Sequence, residues 1–258
     1  MFQPHSLLWH YLWVAPYIFL LVLAVWMWKR ELHKQFPAFF YYLIFEATGG
    51  AVVYAADVVP SVSEKAYWVC YLAFLIIEAS IKFVVIGEVF THLLRRYPSL
   101  GSLARVLISA VGILLVFTAT IIAAYASPTA FWLISATRIL GRSVSVVQCG
   151  LIVFLFAFAA YFHLTWQRPN FGIILGFGIA ASVSLACWGL LANWLLGQML
   201  GQKSYLLDFF TMATYHVCVL IWCYCILVPQ EHATTSATLL PEHNLELWNR
   251  ELERLLQQ

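Results

Sequence analysis

Seven apolar segments, separated by prolines, glycines and polar residues, run along most of this chain of 258 residues. A helix needs roughly 20 predominantly apolar residues to cross a hydrocarbon core about 30 Å thick. The segments meet that length and comprise residues 7–28, 37–58, 67–90, 106–125, 143–162, 171–195 and 205–228. The sequence therefore predicts an all-α, polytopic membrane protein with seven transmembrane helices in one domain, residues 1–228, followed by a tail, residues 229–258.

The composition excludes several other classes of protein. Hydrophobic residues make up 63% of the chain and charged residues 10%, against about 45–50% and about 25% in soluble domains. So few charges cannot solvate a globular surface, which argues against a soluble enzyme. A net charge of +2 is too small to favour a nucleic-acid partner; the lipid bilayer is the expected surrounding.

The basic residues predict an orientation. Cytoplasmic loops of membrane proteins carry an excess of Lys and Arg. Nine of the 14 basic residues fall on one side of the predicted helices, namely Lys29, Arg30, Lys34, Arg95, Arg96, Arg105, Arg168, Arg250 and Arg254. We therefore expect the N-terminus outside and the C-terminus in the cytoplasm, with the protein in a plasma (inner) membrane.

Two segments open with the same Q-x-P-x-F spacing, which suggests an internal duplication. The two sets are Gln35, Pro37 and Phe39, and Gln167, Pro169 and Phe171. A duplication predicts two parallel three-helix units joined by the fourth segment; chance matching between apolar segments is the alternative. The resulting 3+1+3 plan resembles the PQ-loop and SWEET class in helix count and orientation. The Pro-Gln pair of that class is absent from the predicted helices, so the resemblance assigns no site residue.

Ionisable residues at membrane depth are the strongest functional candidates. A charged side chain in hydrocarbon costs several kcal/mol unless it is paired or hydrated, and Glu46, Glu78, Lys82 and His216 all lie inside predicted helices. We expect a shared ligand or proton site in which Glu78 neutralises Lys82, while Glu46 and His216 bind a proton, a cation or a ligand amine. The alternative is a structural ion pair that fixes helix register. Glu88 lies nearer a helix end and is expected to reach the interface.

Arg138, Arg142 and Asp208 form a second candidate group toward the outside. The planar guanidinium suits carboxylate or phosphate, so an outer anion site is one interpretation. Interfacial pairing of the arginines with Asp208 is the other.

The sequence contains no spacing typical of a catalytic or metal site. The histidines near the predicted cytoplasmic ends, His33, His92 and His163, form neither an H-x3-H nor an HExxH pair, which are the arrangements that would favour a metal. We therefore predict no enzyme activity, no catalytic residue, no metal and no cofactor.

The tail contains an amphipathic stretch. Leu245, Trp248, Leu252 and Leu255 are spaced 3, 4 and 3 apart, which predicts a short cytoplasmic helix with one apolar stripe. We expect this stripe to dock onto a cytoplasmic protein partner or a second copy of the chain, with the basic rim of the bundle or the membrane interface as alternatives.

Together these features predict a receptor-like membrane sensor or signalling-accessory protein with a mid-membrane polar site and a docking helix. A small-solute or proton-coupled transporter of 3+1+3 architecture is the first alternative. An accessory subunit of a larger membrane complex is the second.

Overall fold

The computed structural model describes residues 6–59, 61–93, 130–161, 166–195 and 202–228. Within these ranges the chain is helical apart from short connections, and no strand occurs in them. We number the helices α1 (Leu7–Lys29), α2 (Pro37–Val58), α3 (Glu64–Leu93), α4 (Ala130–Tyr161), α5 (Arg168–Leu195) and α6 (Gln202–Leu227). A 3-10 turn, Leu32–Lys34, connects α1 and α2. The predicted fourth segment and the tail stripe of Leu245, Trp248, Leu252 and Leu255 lie outside the described residues.

All six helices contain a stretch long and apolar enough to cross a membrane. These stretches are Leu7–Lys29, Pro37–Val58, Glu64–Leu93, Ser135–Tyr161, Arg168–Cys187 and Leu206–Leu227. Large apolar side chains also cover the outer surface, with Ile18, Val22 and Val153 exposed by 56%, 54% and 68%. Such a surface suits lipid rather than water. The described residues therefore confirm a helical protein whose apolar helices suggest an integral membrane protein.

Helix α2 is held at its first turn by a side chain from α3. Pro37 occupies the first turn, where its missing N–H costs nothing. The next two N–H groups, of Ala38 and Phe39, donate to the two carboxylate oxygens of Glu88 at 3.0 and 3.1 Å. Glu88, which we expect near the interface, thus caps α2, because unpaired N–H groups and the positive end of the helix dipole attract a carboxylate.

Helix α4 begins at Ala130, well before the start predicted at Ser143. The predicted apolar segment starts beyond Arg138 and Arg142, but the helix continues through both. Leu133, Ala136 and Leu140 are buried on its inner side. Packing of this apolar stripe therefore extends the helix past its polar residues.

The six helices form a closed ring. Each packs against the next in chain order, and α6 packs against α1. Short connections make most neighbouring helices antiparallel. Helices α3 and α4 are parallel instead, because the aromatic rings of Phe90 and Phe158, near their C-terminal ends, lie 5.7 Å apart. We name one end of the ring the Asp57 end and the opposite end the Lys29 end.

Four aromatic side chains fill the interior nearer the Lys29 end. We call Phe39, Tyr42, Phe177 and Trp222 the aromatic plug; they are exposed by 0%, 0%, 1% and 0%. The indole of Trp222 donates to the carbonyl oxygen of Ile173 at 3.3 Å. A Cβ at Gly176 would overlap this indole, so glycine there allows α5 and α6 to approach closely.

Candidate functional site

Three charged side chains meet in the interior between α2 and α3. The ammonium of Lys82 donates to the carboxylate of Glu78 one turn earlier on α3. The side chains of Lys82 and Glu78 are exposed by only 19% and 12%. Glu46 of α2 is 5% exposed and interacts electrostatically with both. Three of the four residues predicted to share a site are therefore brought together.

Four tyrosines surround these charges. They are Tyr17 of α1, Tyr42 of α2, Tyr71 of α3 and Tyr215 of α6, and each interacts electrostatically with Glu46. We name these four residues together with Glu46, Glu78 and Lys82 the polar cluster. Within the described part of the chain, Oε2 of Glu46 and the hydroxyls of Tyr42 and Tyr215 are buried and interact with one another, but none of them makes a well-aligned hydrogen bond. Such atoms are uncommon in native structures. Because Asn170 Oδ1 and His216 Nδ1 are also buried without a hydrogen-bond partner among the described residues, it is the charge at Glu46 that distinguishes this cluster.

Close helix packing explains how Tyr17 reaches the cluster. Gly50 lies one turn after Glu46 on α2, and a Cβ at this position would overlap the phenol ring of Tyr17. A Cβ at Gly49 would likewise overlap the ring of Phe74 on α3. The Gly-Gly pair thus lets both α1 and α3 approach α2 beside the Glu46 carboxyl.

The polar cluster contains one more acidic group than basic group. With Glu46, Glu78 and Lys82 all ionised, the charges sum to −1, and Lys82 already pairs with Glu78. An uncompensated carboxylate is costly in a low-dielectric interior. The arrangement is therefore suited to accept one positive charge, either as a proton on the carboxylate or as a bound cation.

His216, the fourth predicted residue, lies at the contact between α6 and α1. Its ring packs at 5.7 Å from the rings of both Tyr11 and Phe19, which are exposed on α1. Successive helical residues are about 100° apart, and it is the preceding residue, Tyr215, that faces the polar cluster.

A sequence signal for Tyr215 does exist. Cys218, Val219 and Trp222 are all buried, and with Tyr215 they occupy positions i, i+3, i+4 and i+7 of α6. That stripe is the pattern of a buried helix face. It would have selected Tyr215 in place of its neighbour.

The second predicted group lies at the Asp57 end. Arg138, Arg142 and Asp208 are all exposed, and Arg138 interacts electrostatically with Asp208. Tyr67 on α3 interacts with both Asp208 and Asp57. The nearby carboxylates favour the interpretation of Arg138 as a pairing partner of Asp208 over that of an anion site.

The contact between α4 and α5 contains neutral polar groups instead. The hydroxyl of Ser145 donates to the carbonyl of Gly141 at 2.9 Å and lies 3.2 Å from the hydroxyl of Ser184, which can donate to it, and the amide of Gln148 donates to the carbonyl of Phe177 at 3.2 Å. We name these three side chains the neutral seam. Because its members satisfy one another or the backbone, the seam is explained by helix packing.

Among the residues described, no three His, Cys, Asp or Glu side chains are arranged to hold a metal ion. Comparison with protein-family models, curated proteins and solved structures gives no match for this chain. The chemistry of its own residues therefore carries the functional assignment.

Proposed function

We propose that this protein is a receptor-like membrane sensor whose polar cluster accepts one positive charge at Glu46. The supporting observation is that the Glu46 carboxyl is buried beside a lysine, Lys82, that already forms an ion pair with Glu78. A proton is the smallest such ligand and the one that a site formed by side chains in direct contact accommodates most readily.

A change of charge at Glu46 can alter the packing of the helices around it. The cluster combines side chains from α1, α2, α3 and α6, so neutralising Glu46 alters forces between four helices at once. Tyr42 and Tyr215 also contact Trp222, with ring centroids 5.8 and 6.3 Å apart. Because Trp222 bonds the backbone of α5, repacking at Glu46 would shift α5 and α6, which is the local-to-global step that a sensor requires.

The number of membrane spans and the sides on which the termini lie are part of the same proposal. We propose seven spans with residues 106–125 as the fourth, an external N-terminus and a cytoplasmic tail. The stripe of Leu245, Trp248, Leu252 and Leu255 would then transmit the state of the bundle to a cytoplasmic partner. Deleting residues 241–258 should abolish copurification of that partner while leaving the proton uptake of the bundle unchanged.

Infrared difference spectroscopy of the purified protein in lipid nanodiscs tests the charge uptake. A pH titration should show the carbonyl stretch of a buried carboxylic acid appearing as pH falls. This band should be absent in Glu46→Gln. Glu88→Gln is the matched control, since it removes another half-buried carboxyl, and should retain the band. A titrating band that survives in Glu46→Gln would exclude Glu46 as the acceptor.

A conformational readout completes the test of sensing. Hydrogen exchange of α5 and α6 should differ between the two protonation states in the wild type and should be the same at both pH values in Glu46→Gln, after correction for the intrinsic effect of pH on exchange. Equal exchange in the wild-type protein would mean that charge uptake is not coupled to structure, and would contradict a sensor.

A proton-coupled transporter is the second candidate, favoured by the order of helix contacts. Exchanging α1, α2 and α3 with α4, α5 and α6 maps each contact of the ring onto another: α1–α2 onto α4–α5, α2–α3 onto α5–α6, and α3–α4 onto α6–α1. The helix directions match as well, because like ends lie together both in α3 and α4 and in α6 and α1, which is expected of two parallel repeats. Proteoliposomes with an imposed pH gradient distinguish the two: Glu46-dependent proton flux supports transport, and its absence supports the sensor.

A further inference from the structure

We infer that protons reach Glu46 from the Asp57 end, along one face of α3, and that the aromatic plug closes the opposite approach. This inference rests on the proposed function, because it assumes that Glu46 is the acceptor. It adds the side of the membrane that the protein senses and the residues that conduct the proton.

One face of α3 carries the proposed route. Tyr67, Tyr71, Glu78 and Lys82 are spaced 4, 7 and 4 apart, which puts them on the same side of a helix. The phenol rings of Tyr67 and Tyr71 stack at a centroid distance of 6.2 Å. All four residues are half-buried, so this face is neither sealed within the core nor fully open.

At the Asp57 end, this face of α3 lies near exposed carboxylates. Asp57 and Asp208 are exposed and both interact electrostatically with Tyr67. Tyr71 in turn interacts with Asp208, Glu78 and Glu46. Carboxylates at the Asp57 end raise the local concentration of cations, although Arg138 offsets part of the charge of Asp208. Tyr67 and Tyr71 thus extend the polar groups of this face from the Asp57 end toward Glu46, with about two turns of α3 between Tyr71 and Glu78.

The groups that face Glu46 come from every helix packed around it. They are Tyr17 of α1, Tyr42 of α2 itself, Tyr71, Glu78 and Lys82 of α3, and Tyr215 of α6. The transfer moves one proton from water at the Asp57 end, through hydroxyl groups, to the Glu46 carboxylate. Release follows the same route in reverse, so no other reactant is consumed.

The α3 face is more exposed than Glu46, and Glu46 is more exposed than the aromatic plug. The Lys82 and Glu78 side chains are exposed by 19% and 12%, Glu46 by 5%, and the plug residues by at most 1%. The plug begins at Phe39, seven residues and so about 10 Å before Glu46 along α2. Aromatic rings packed at this density present no hydrated path from the Lys29 end.

Thiol labelling tests the direction. In a background where the six native cysteines are replaced, Lys65→Cys marks the Asp57 end and Lys34→Cys marks the Lys29 end. A membrane-impermeant maleimide is applied to sealed vesicles of one orientation, from outside and, after loading, from inside. Tyr71→Cys should react from the same side as Lys65→Cys. Reaction of Tyr71→Cys only from the side of Lys34→Cys would overturn the inference.

A kinetic measurement keeps the test decisive should the cysteine-free background fail to fold. Time-resolved infrared spectroscopy after a pH jump follows protonation of Glu46 in Tyr71→Phe. We expect the rate to fall about tenfold or more, since a relay hydroxyl contributes on the scale of a positioned acid–base group, with an unchanged titration midpoint. Tyr41→Phe is the matched control, because Tyr41 is 65% exposed on the outer surface.

The experiments distinguish failure of the proposed function from failure of the proposed route. If Glu46 shows no titrating band, the proposed function is wrong. If the band titrates normally but its rate in Tyr71→Phe equals that of the wild type, only the route along α3 is wrong.

Discussion

The polar cluster and the neutral seam are two polar regions inside the same apolar ring, and they differ in how their groups are satisfied. In the seam, Ser145, Ser184 and Gln148 bond one another or a backbone carbonyl. In the cluster, the Glu46 carboxyl has no cation of its own, and it and two tyrosine hydroxyls make no well-aligned hydrogen bond among the described residues. The proposed function therefore rests on the excess charge at Glu46, since polarity inside a membrane bundle also occurs where helix packing alone explains it.

Energetics support that distinction. Neutral hydrogen bonds between membrane helices contribute about 0.6 kcal/mol on average, since the separated helices find other partners. Breaking a buried ion pair costs about 3–5 kcal/mol because it leaves an uncompensated charge. Substitutions in the two regions should accordingly differ both in size and in their effect on Glu46.

The largest loss should follow Lys82→Met. This change leaves Glu46 and Glu78 as two buried carboxyls without a cation, so we expect the free energy of unfolding to fall by about 3–5 kcal/mol. Denaturant unfolding in mixed micelles measures it. The double substitution Lys82→Met with Glu78→Gln removes both members of the pair and should recover most of the loss. A double variant no more stable than the single one would show that charge imbalance is not the cause.

A comparison of two glycines tests the packing of the cluster. Gly50→Ala places a methyl group into the Tyr17 ring, and overpacking of this kind costs about 1–3 kcal/mol. Gly150→Ala is the matched control: nothing lies within 4 Å of its added Cβ, so it should be neutral or gain up to about 1 kcal/mol from helix propensity. Equal melting temperatures for the two variants would contradict the close approach of α1 and α2.

Glu88→Gln separates the carboxyl that caps α2 from the proposed proton acceptor, Glu46. The glutamine amide oxygen can accept from only one of the two N–H groups of α2 and its NH2 group faces the other, so we expect a loss of about 1–2 kcal/mol in thermal stability. The infrared titration of Glu46 should be unchanged, because Glu88 serves the first turn of α2. Loss of the Glu46 band in this variant would show that the cap and the cluster act as one unit.

The smallest effect should come from the neutral seam. Ser145→Ala removes the bond to Ser184, for which we expect a loss of about 0.6 kcal/mol and no change in Glu46 protonation. Thermal unfolding and infrared titration of the same sample measure both. A large change in titration would remove the distinction between the two regions.

The sequence was sufficient where the controlling physics is local. Segment length and apolarity predict the described helices except for the start of α4, which packing extends to Ala130, and the i, i+4 spacing of Glu78 and Lys82 predicts their pairing. It was insufficient where the rotation of a helix about its own axis matters. Tyr215 rather than His216 faces the cluster because the packing of Trp222 against Gly176 determines the rotation of α6. Tyr17 was missed for a similar reason, since it approaches Glu46 only through the absence of a side chain at Gly50.

The most direct test of an excess negative charge is the infrared titration of Glu78→Gln, in which Glu46 itself is intact. With Glu78 neutral, Lys82 becomes the partner of Glu46, so we expect Glu46 to remain ionised and its carboxylic acid band to disappear. The band should return in the double variant Glu78→Gln with Lys82→Met, where Glu46 is again unpaired. A Glu78→Gln protein that titrates like the wild type would contradict the charge balance on which the proposed function depends.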